Sequence, residues 1–153
     1  MIQFTISGPP RTKKTSQNIV TIKLKTGGTF HKIMPSDAYK AWFKEAMSQL
    51  PLILQHIRKQ GAALPIVGPV RVRAIFYRAQ LSGDLLGFEQ ALADWLQVPL
   101  VKNGKTTRQG AGIILDDAHI ESWDGSRKAK DASRPRIEVE IEPYEGQLFG
   151  WEL

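Results

Sequence analysis

Residues Ile2, Phe4 and Ile6 alternate with Gln3, Thr5 and Ser7, a two-residue period that predicts a strand with one buried face, closed by Gly8-Pro9-Pro10. After a polar, basic loop, Ile19 to Leu24 and Thr29 to Ile33 flank Gly27-Gly28, which predicts a hairpin. Pro35-Ser36 then opens a helix with Ser36 as its cap and Trp42, Phe43, Ala46, Met47 and Leu50 as its apolar face. Gly68-Pro69 precedes a strand from Val70 to Tyr77 whose exposed face would carry Arg71 and Arg73. A second helix follows from about Leu85 to Gln97, burying Leu85, Phe88, Leu92, Trp95 and Leu96. The polar stretch from Pro99 to Gly112 reads as a mobile loop. It ends in the apolar run Ile113-Ile114-Leu115, a short strand that delivers Asp116-Asp117 at its edge. Ile137, Val139 and Ile141 alternate with Arg136, Glu138, Glu140 and Glu142 in the last strand, and Phe149 and Trp151 in the tail are candidates to dock on a neighbour. The pattern predicts one α+β (mixed α/β) domain, with a sheet of about five to seven strands and two main helices.

Composition narrows this picture without redirecting it. A chain of 153 residues that is 42% hydrophobic can bury one sizeable core, and 24% charged residues is the balance of a folded domain. The apolar run from Leu50 to Ile57 is broken by Pro51, Gln55 and His56 and is too short to cross a bilayer. Met1 leads directly into a strand pattern, so no signal peptide is expected, and the absence of cysteine fits a reducing compartment. A cytoplasmic protein with no membrane partner is the expectation.

The net charge of +6 matters less than its placement. No acidic residue precedes Asp37, while Arg11, Lys13, Lys14, Lys23, Lys25 and Lys32 do. Further basic groups are Lys102, Lys105 and Arg108, then Arg127, Lys128, Lys130, Arg134 and Arg136; every charged residue after Arg136 is acidic. Such segregation is expected of a protein that meets a polyanion on one side, the plain alternative being a solvated basic surface.

The segment Gly8 to Thr15, GPPRTKKT, imitates a phosphate-binding P-loop but lacks its physics. Pro9 and Pro10 remove backbone donors and Lys13 stands where the glycine is needed, leaving Arg11, Lys13 and Lys14 to meet phosphates as point charges. Asp84 stands where an aspartate caps a helix, although Gly87 three residues on denies it a reciprocal capping box. Glu89 and Asp94 lie about 140° apart around that helix, so at most one of them can join Asp84. Asp116 and Asp117 repel each other unless a cation answers them. Mg²⁺ or Mn²⁺ would need only two or three such carboxylates, and a turn in which the aspartates bond local backbone N–H groups explains the pair equally well. His31, His56 and His119 show no ligand spacing, and no serine sits in a nucleophile motif.

Taken in order, GPPRTKKTSQN, PSDAYKAWFKEA, GPVRVRAIFYR, GDLLGFEQALADWLQ, GIILDDAHI and GSRKAKDASRPRIEVEI resemble the RusA family of crossover-junction endodeoxyribonucleases, Holliday junction resolvases often carried by prophages. The likeness spans most of the chain. The family's second-helix pattern, Asp-x-Asp-Asn-Leu-x-Lys, puts its first aspartate on Asp84, and the essential member of its later Asp-Asp pair falls on Asp117. Its second aspartate falls on Leu86, its asparagine on Gly87 and its lysine on Gln90, so one metal ligand and one cation are missing unless Glu89 and Lys13 or Lys14 replace them.

The resemblance implies a homodimer that uses Mg²⁺, held by Asp84, Asp117, Asp116 and Glu89, to hydrolyse phosphodiesters of branched DNA in recombination and repair. Lys14 would stabilise developing charge, and Arg11, Lys13, Lys14, Arg71, Arg73, Arg127, Lys128 and Lys130 would track the DNA backbone. A junction-binding protein of the same fold that does not cut is the alternative, favoured by Leu86 and Gln90. An RNA-binding or ribosome-associated basic domain would use the same charges and leave the carboxylates unexplained.

Overall fold

A computed structural model describes residues 1–13, 18–34 and 36–146. Lys14, Phe149 and Trp151 lie outside them. In chain order the elements are β1 (Ile2–Ser7), β2 (Asn18–Lys23), β3 (Thr29–Met34), α1 (Asp37–Lys59), β4 (Val70–Arg78), α2 (Leu85–Leu96), β5 (Leu100–Lys102), β6 (Lys105–Arg108), β7 (Ile120–Ser122), β8 (Arg127–Lys130) and β9 (Arg136–Pro143), with a 3₁₀ turn at Asp117–His119. Among the described residues these form one five-stranded mixed sheet, two separate two-stranded hairpins (β2–β3 and β5–β6) and two helices; the mixed sheet, the β2–β3 hairpin and both helices are those the apolar pattern predicts.

Strand order is β1-β9-β4-β7, with β8 continuing along the same edge of β4. The β9 strand is antiparallel to both neighbours, whereas β7 and β8 run parallel to β4. Between those two short strands the Ser126 hydroxyl accepts from the Ala74 N–H at 3.0 Å and fills the gap in the ladder. Register aligns three apolar rows across the sheet: Ile2, Ile141 and Val72; Phe4, Val139 and Ala74; Ile6, Ile137 and Phe76. All nine are buried, and the apolar faces of both helices join them in one core.

The Ser36 hydroxyl caps α1 by accepting from the Tyr39 N–H at 3.1 Å. This helix runs on beyond Leu50, through Pro51, because Ile53 and Ile57 are buried in the same core. That burial outweighs the hydrogen bond a proline cannot donate. Along the open edge of β1, Gln49 brackets the Ser7 backbone (2.7 and 2.9 Å) and Gln60 that of Gln3 (2.8 and 2.8 Å). The two glutamines occupy groups that would otherwise template another strand.

Two expectations fail. The stretch expected as a loop between Pro99 and Gly112 holds an antiparallel hairpin, β5–β6, turned at Asn103-Gly104 with both residues at positive φ (51° and 75°). That dipeptide favours the tight turn that joins two short strands, even though all seven strand residues are exposed. Ile113-Ile114-Leu115 forms no strand. The N–H groups of Ile113 and Ile114 close the end of α2, that of Leu115 donates to the Ile66 carbonyl, and Ile114 makes only isolated bridges to Ile66 and Gln97.

Candidate functional site

Helix α2 lies between two groups of carboxylates. At its N-terminus Asp84 is the cap, its side chain accepting from the Leu86 N–H at 3.3 Å. The loop after β1 docks here: Thr12 is buried on Gly87, where an added Cβ would stand 2.9 Å from the threonine methyl. A glycine in place of the asparagine of the RusA pattern is what admits that contact. Glu89, one turn on, is buried, and its carboxyl is held above the usual range by that burial and by the charge of Asp84. Leu86 is 71% exposed and Gln90 is exposed, so neither is enclosed by protein.

The other end of α2 is closed by backbone. Ala111 donates to the Trp95 carbonyl at 2.7 Å, Ile113 and Ile114 to Leu96 at 2.9 and 3.1 Å, and Gly112 to Gln97 at 3.1 Å. Gly110 is required for this approach, since a Cβ there would meet the Gln97 carbonyl oxygen at 2.0 Å. The anchored segment carries Asp116 and Asp117 to the end of α2. Asp116 accepts from the Ala118 N–H at 2.9 Å, the local turn that was one of the two readings of this pair. That bond, together with Asp117, His119 and Arg108, draws its carboxyl below the usual range. Asp117 is pushed up, first by desolvation and then by Asp116 and Asp94. The two adjacent carboxyls therefore share a site in which Asp117 keeps its proton longer.

Asp84 and Asp117 thus answer to different partners: Glu89 at one end of α2, Asp94 towards the other. Ten residues of helix separate Asp84 from Asp94, about 15 Å at 1.5 Å per residue. Among the described residues no three His, Cys, Asp or Glu side chains converge as a metal-binding group. The fourfold set of Asp84, Glu89, Asp116 and Asp117 is not assembled in this conformation.

The basic residues sort in a similar way. Arg71 and Arg73 do not offer free charge to DNA, because each forms a cross-strand ion pair on the solvent face, with Glu142 and Glu140 respectively. Register places the acidic strand β9 beside β4 and so sets Glu142 and Glu140 against these two arginines. Lys13 pairs with Asp94 and lies 5.4 Å above the Tyr39 ring. Lys128 donates to the carbonyls of Leu81 and Gly83 at 2.9 Å each, fixing the loop that presents Asp84. Arg127 and Lys130 are exposed on β8.

A cavity of about 450 Å³ opens beside Asp94. Tyr39, Phe43 and Met47 form its apolar wall, and Lys13, Lys40, Lys44, Arg108 and Gln109 surround it. Sequence reasoning left the position of Asp94 open and passed over Lys40, Lys44 and Arg78. The helical spacing of Lys40 and Lys44 was a readable signal, because residues four apart share a face. The chain was compared with protein-family models, curated proteins and solved structures, and it matches none of them.

Proposed function

We propose that this protein is a metal-dependent endonuclease acting on branched DNA such as four-way junctions, in the manner implied by its resemblance to the RusA family. The observation that carries the reading is that Asp117 lies within electrostatic reach of Asp116 and of Asp94, and that Asp94, paired with Lys13, lines a cavity that Lys40, Lys44 and Arg108 also border. Carboxylates that repel one another, one of them proton-retaining, are relieved by a divalent cation, and cations beside them balance the phosphates of a nucleic acid. The donor chemistry fits Mg²⁺ or Mn²⁺, which need one or two carboxylates when water and phosphate oxygens complete the shell. Asp117 and Asp94 would hold such an ion, and Asp116, already committed to the Ala118 N–H, would tune them. Bound there, the metal supplies a polarised phosphoryl oxygen and an acidified water. The chain's own groups orient the strand: Lys40 and Lys44 from one helix face, Arg108 from the hairpin base. Asp84 and Glu89 would act as a second, separate carboxylate pair. The homodimer and a cytoplasmic location belong to the same proposal; among the described residues, no helix is long and apolar enough to cross a membrane.

The exposed Leu86 and Gln90 favour a second reading, a branched-DNA-binding protein that does not cut. Cleavage of a mobile four-way junction and of linear duplex, in Mg²⁺ and in Mn²⁺, separates the two. Junction-selective nicking lost in both Asp117→Asn and Asp94→Asn is the expected result. Tight junction binding without metal-dependent product establishes the second reading, and cutting unchanged by either substitution removes the site.

A further inference from the structure

A second cavity, of about 120 Å³, lies on the other side of the docked loop, lined by Arg11, Thr12, Ser36, Ala38, Arg78, Gly83 and Phe88. It brings together two arginines from distant parts of the chain. Arg78 is built in: its guanidinium lies 5.0 Å over the Phe88 ring, which stacks on Phe76, and it donates to the Ser82 carbonyl and hydroxyl. Gly83, at φ +101°, is shaped around it, since a Cβ there would lie 2.6 Å from Phe88 and 3.1 Å from the Arg78 guanidinium. Among the described residues neither arginine forms an ion pair, and the Arg78 Nε–H is buried with no hydrogen-bond partner. Asp84, next to Gly83, turns its carboxylate into its own helix. Burial and the neighbouring Arg11 charge both make the Arg78 guanidinium easier to deprotonate, the sign of uncompensated positive charge.

Two arginines that line one cavity and feel each other's charge, one of them with an unsatisfied donor, suit an oxyanion. We propose that Arg11 and Arg78 bind a single phosphate group, and that in the working protein it is a backbone phosphate of the DNA strand passing Asp84. The cavity is well below the roughly 300 Å³ at which pockets begin to enclose whole drug-sized ligands, so it takes the phosphate and leaves sugar and base outside. Its identity as a DNA phosphate rests on the function proposed above; its affinity for the oxyanion does not.

The test has two arms. Inorganic phosphate is titrated into the metal-free protein while the arginine Nε–H resonances are followed by NMR, the Arg78 signal being assigned by its loss in Arg78→Lys. A saturable shift of that signal, abolished by Arg11→Gln, is expected. No shift at tens of millimolar phosphate overturns the oxyanion site. In the second arm, four-way-junction affinity is measured without metal across a salt series for wild type, Arg11→Gln and Arg78→Lys. Each variant should bind about three- to tenfold more weakly, and Arg11→Gln should flatten the dependence of log K on log[salt] by about 0.9, one phosphate contact. A phosphate shift with unaltered junction affinity and slope overturns the DNA assignment, leaving a receptor for free phosphate. Absence of junction cleavage would remove the enzymatic reading while leaving both arms interpretable. Arg11→Gln, at a partly exposed loop position, keeps the test decisive if Arg78→Lys disturbs the packing on Phe88.

Discussion

The two ends of α2 carry acidic groups in opposite settings. The N-terminal end is closed by a side chain, Asp84, and supported by a docked loop through Thr12 on Gly87. The C-terminal end is closed by backbone, with four N–H groups of the returning segment on the carbonyls of Trp95, Leu96 and Gln97. A carboxylate that serves as a cap is occupied by its own helix. One delivered by an anchored segment, such as Asp117, lies beside Asp116 and Asp94, and burial together with those two charges holds its carboxyl above the usual range.

The largest effect expected from disturbing this arrangement is at the C-terminal end. Gly110→Ala drives a methyl into the Gln97 carbonyl and should cost about 3 kcal/mol or more in urea unfolding, because backbone cannot yield as a side chain can. Stability within about 1 kcal/mol of wild type would mean that this closure is looser than the geometry states. Next, Gly87→Asn, which introduces the asparagine found at this position in the RusA pattern, should cost about 1–3 kcal/mol through its clash with Thr12. Part of that loss should return in Thr12→Ala/Gly87→Asn, a coupling that a double-mutant cycle measures.

Smaller effects test the capping role itself. Asp84→Ala should lose about 1 kcal/mol, whereas Asp84→Asn, an equally good cap, should stay near wild type in stability. A large loss in Asp84→Asn would show that its charge, and not its capping, is what the fold uses. The smallest effect concerns pH. The folded protein holds the Asp117 proton above the usual carboxylate range, so it binds more protons than the unfolded chain between the ordinary value of 3.8 and the raised one. Stability contributed by protonation is then lost as pH rises through that window. Asp117→Asn should accordingly be slightly more stable than wild type at neutral pH, with the gain vanishing at pH below the ordinary carboxylate range. Unfolding curves at the two pH values check the sign, and a gain that grows on acidification contradicts the assignment.

Much of the fold was legible because its signals are local. Alternation in β1, β4 and β9 reports which residues face the core, and Ser36 and Asp84 mark helix starts through bonds two or three residues away. Asn103-Gly104 was equally local and equally readable as a hairpin turn. The continuation of α1 through Pro51 was not, since it depends on where Ile53 and Ile57 find a core.

Sequence by itself determined the class of domain, the two helices, the three strands that carry the buried rows, and the carboxylates and basic residues available for chemistry. Tertiary structure alone decided which of those charges remain free. Pairing of β4 with β9 neutralised Arg71 and Arg73, the loop after β1 brought Lys13 to Asp94 and Arg11 to Arg78, and the closure of α2 set Asp117 against Asp94. The reason is physical: periodicity and capping act over a few residues, whereas electrostatic compensation depends on distance in space, and these partners lie far apart along the chain.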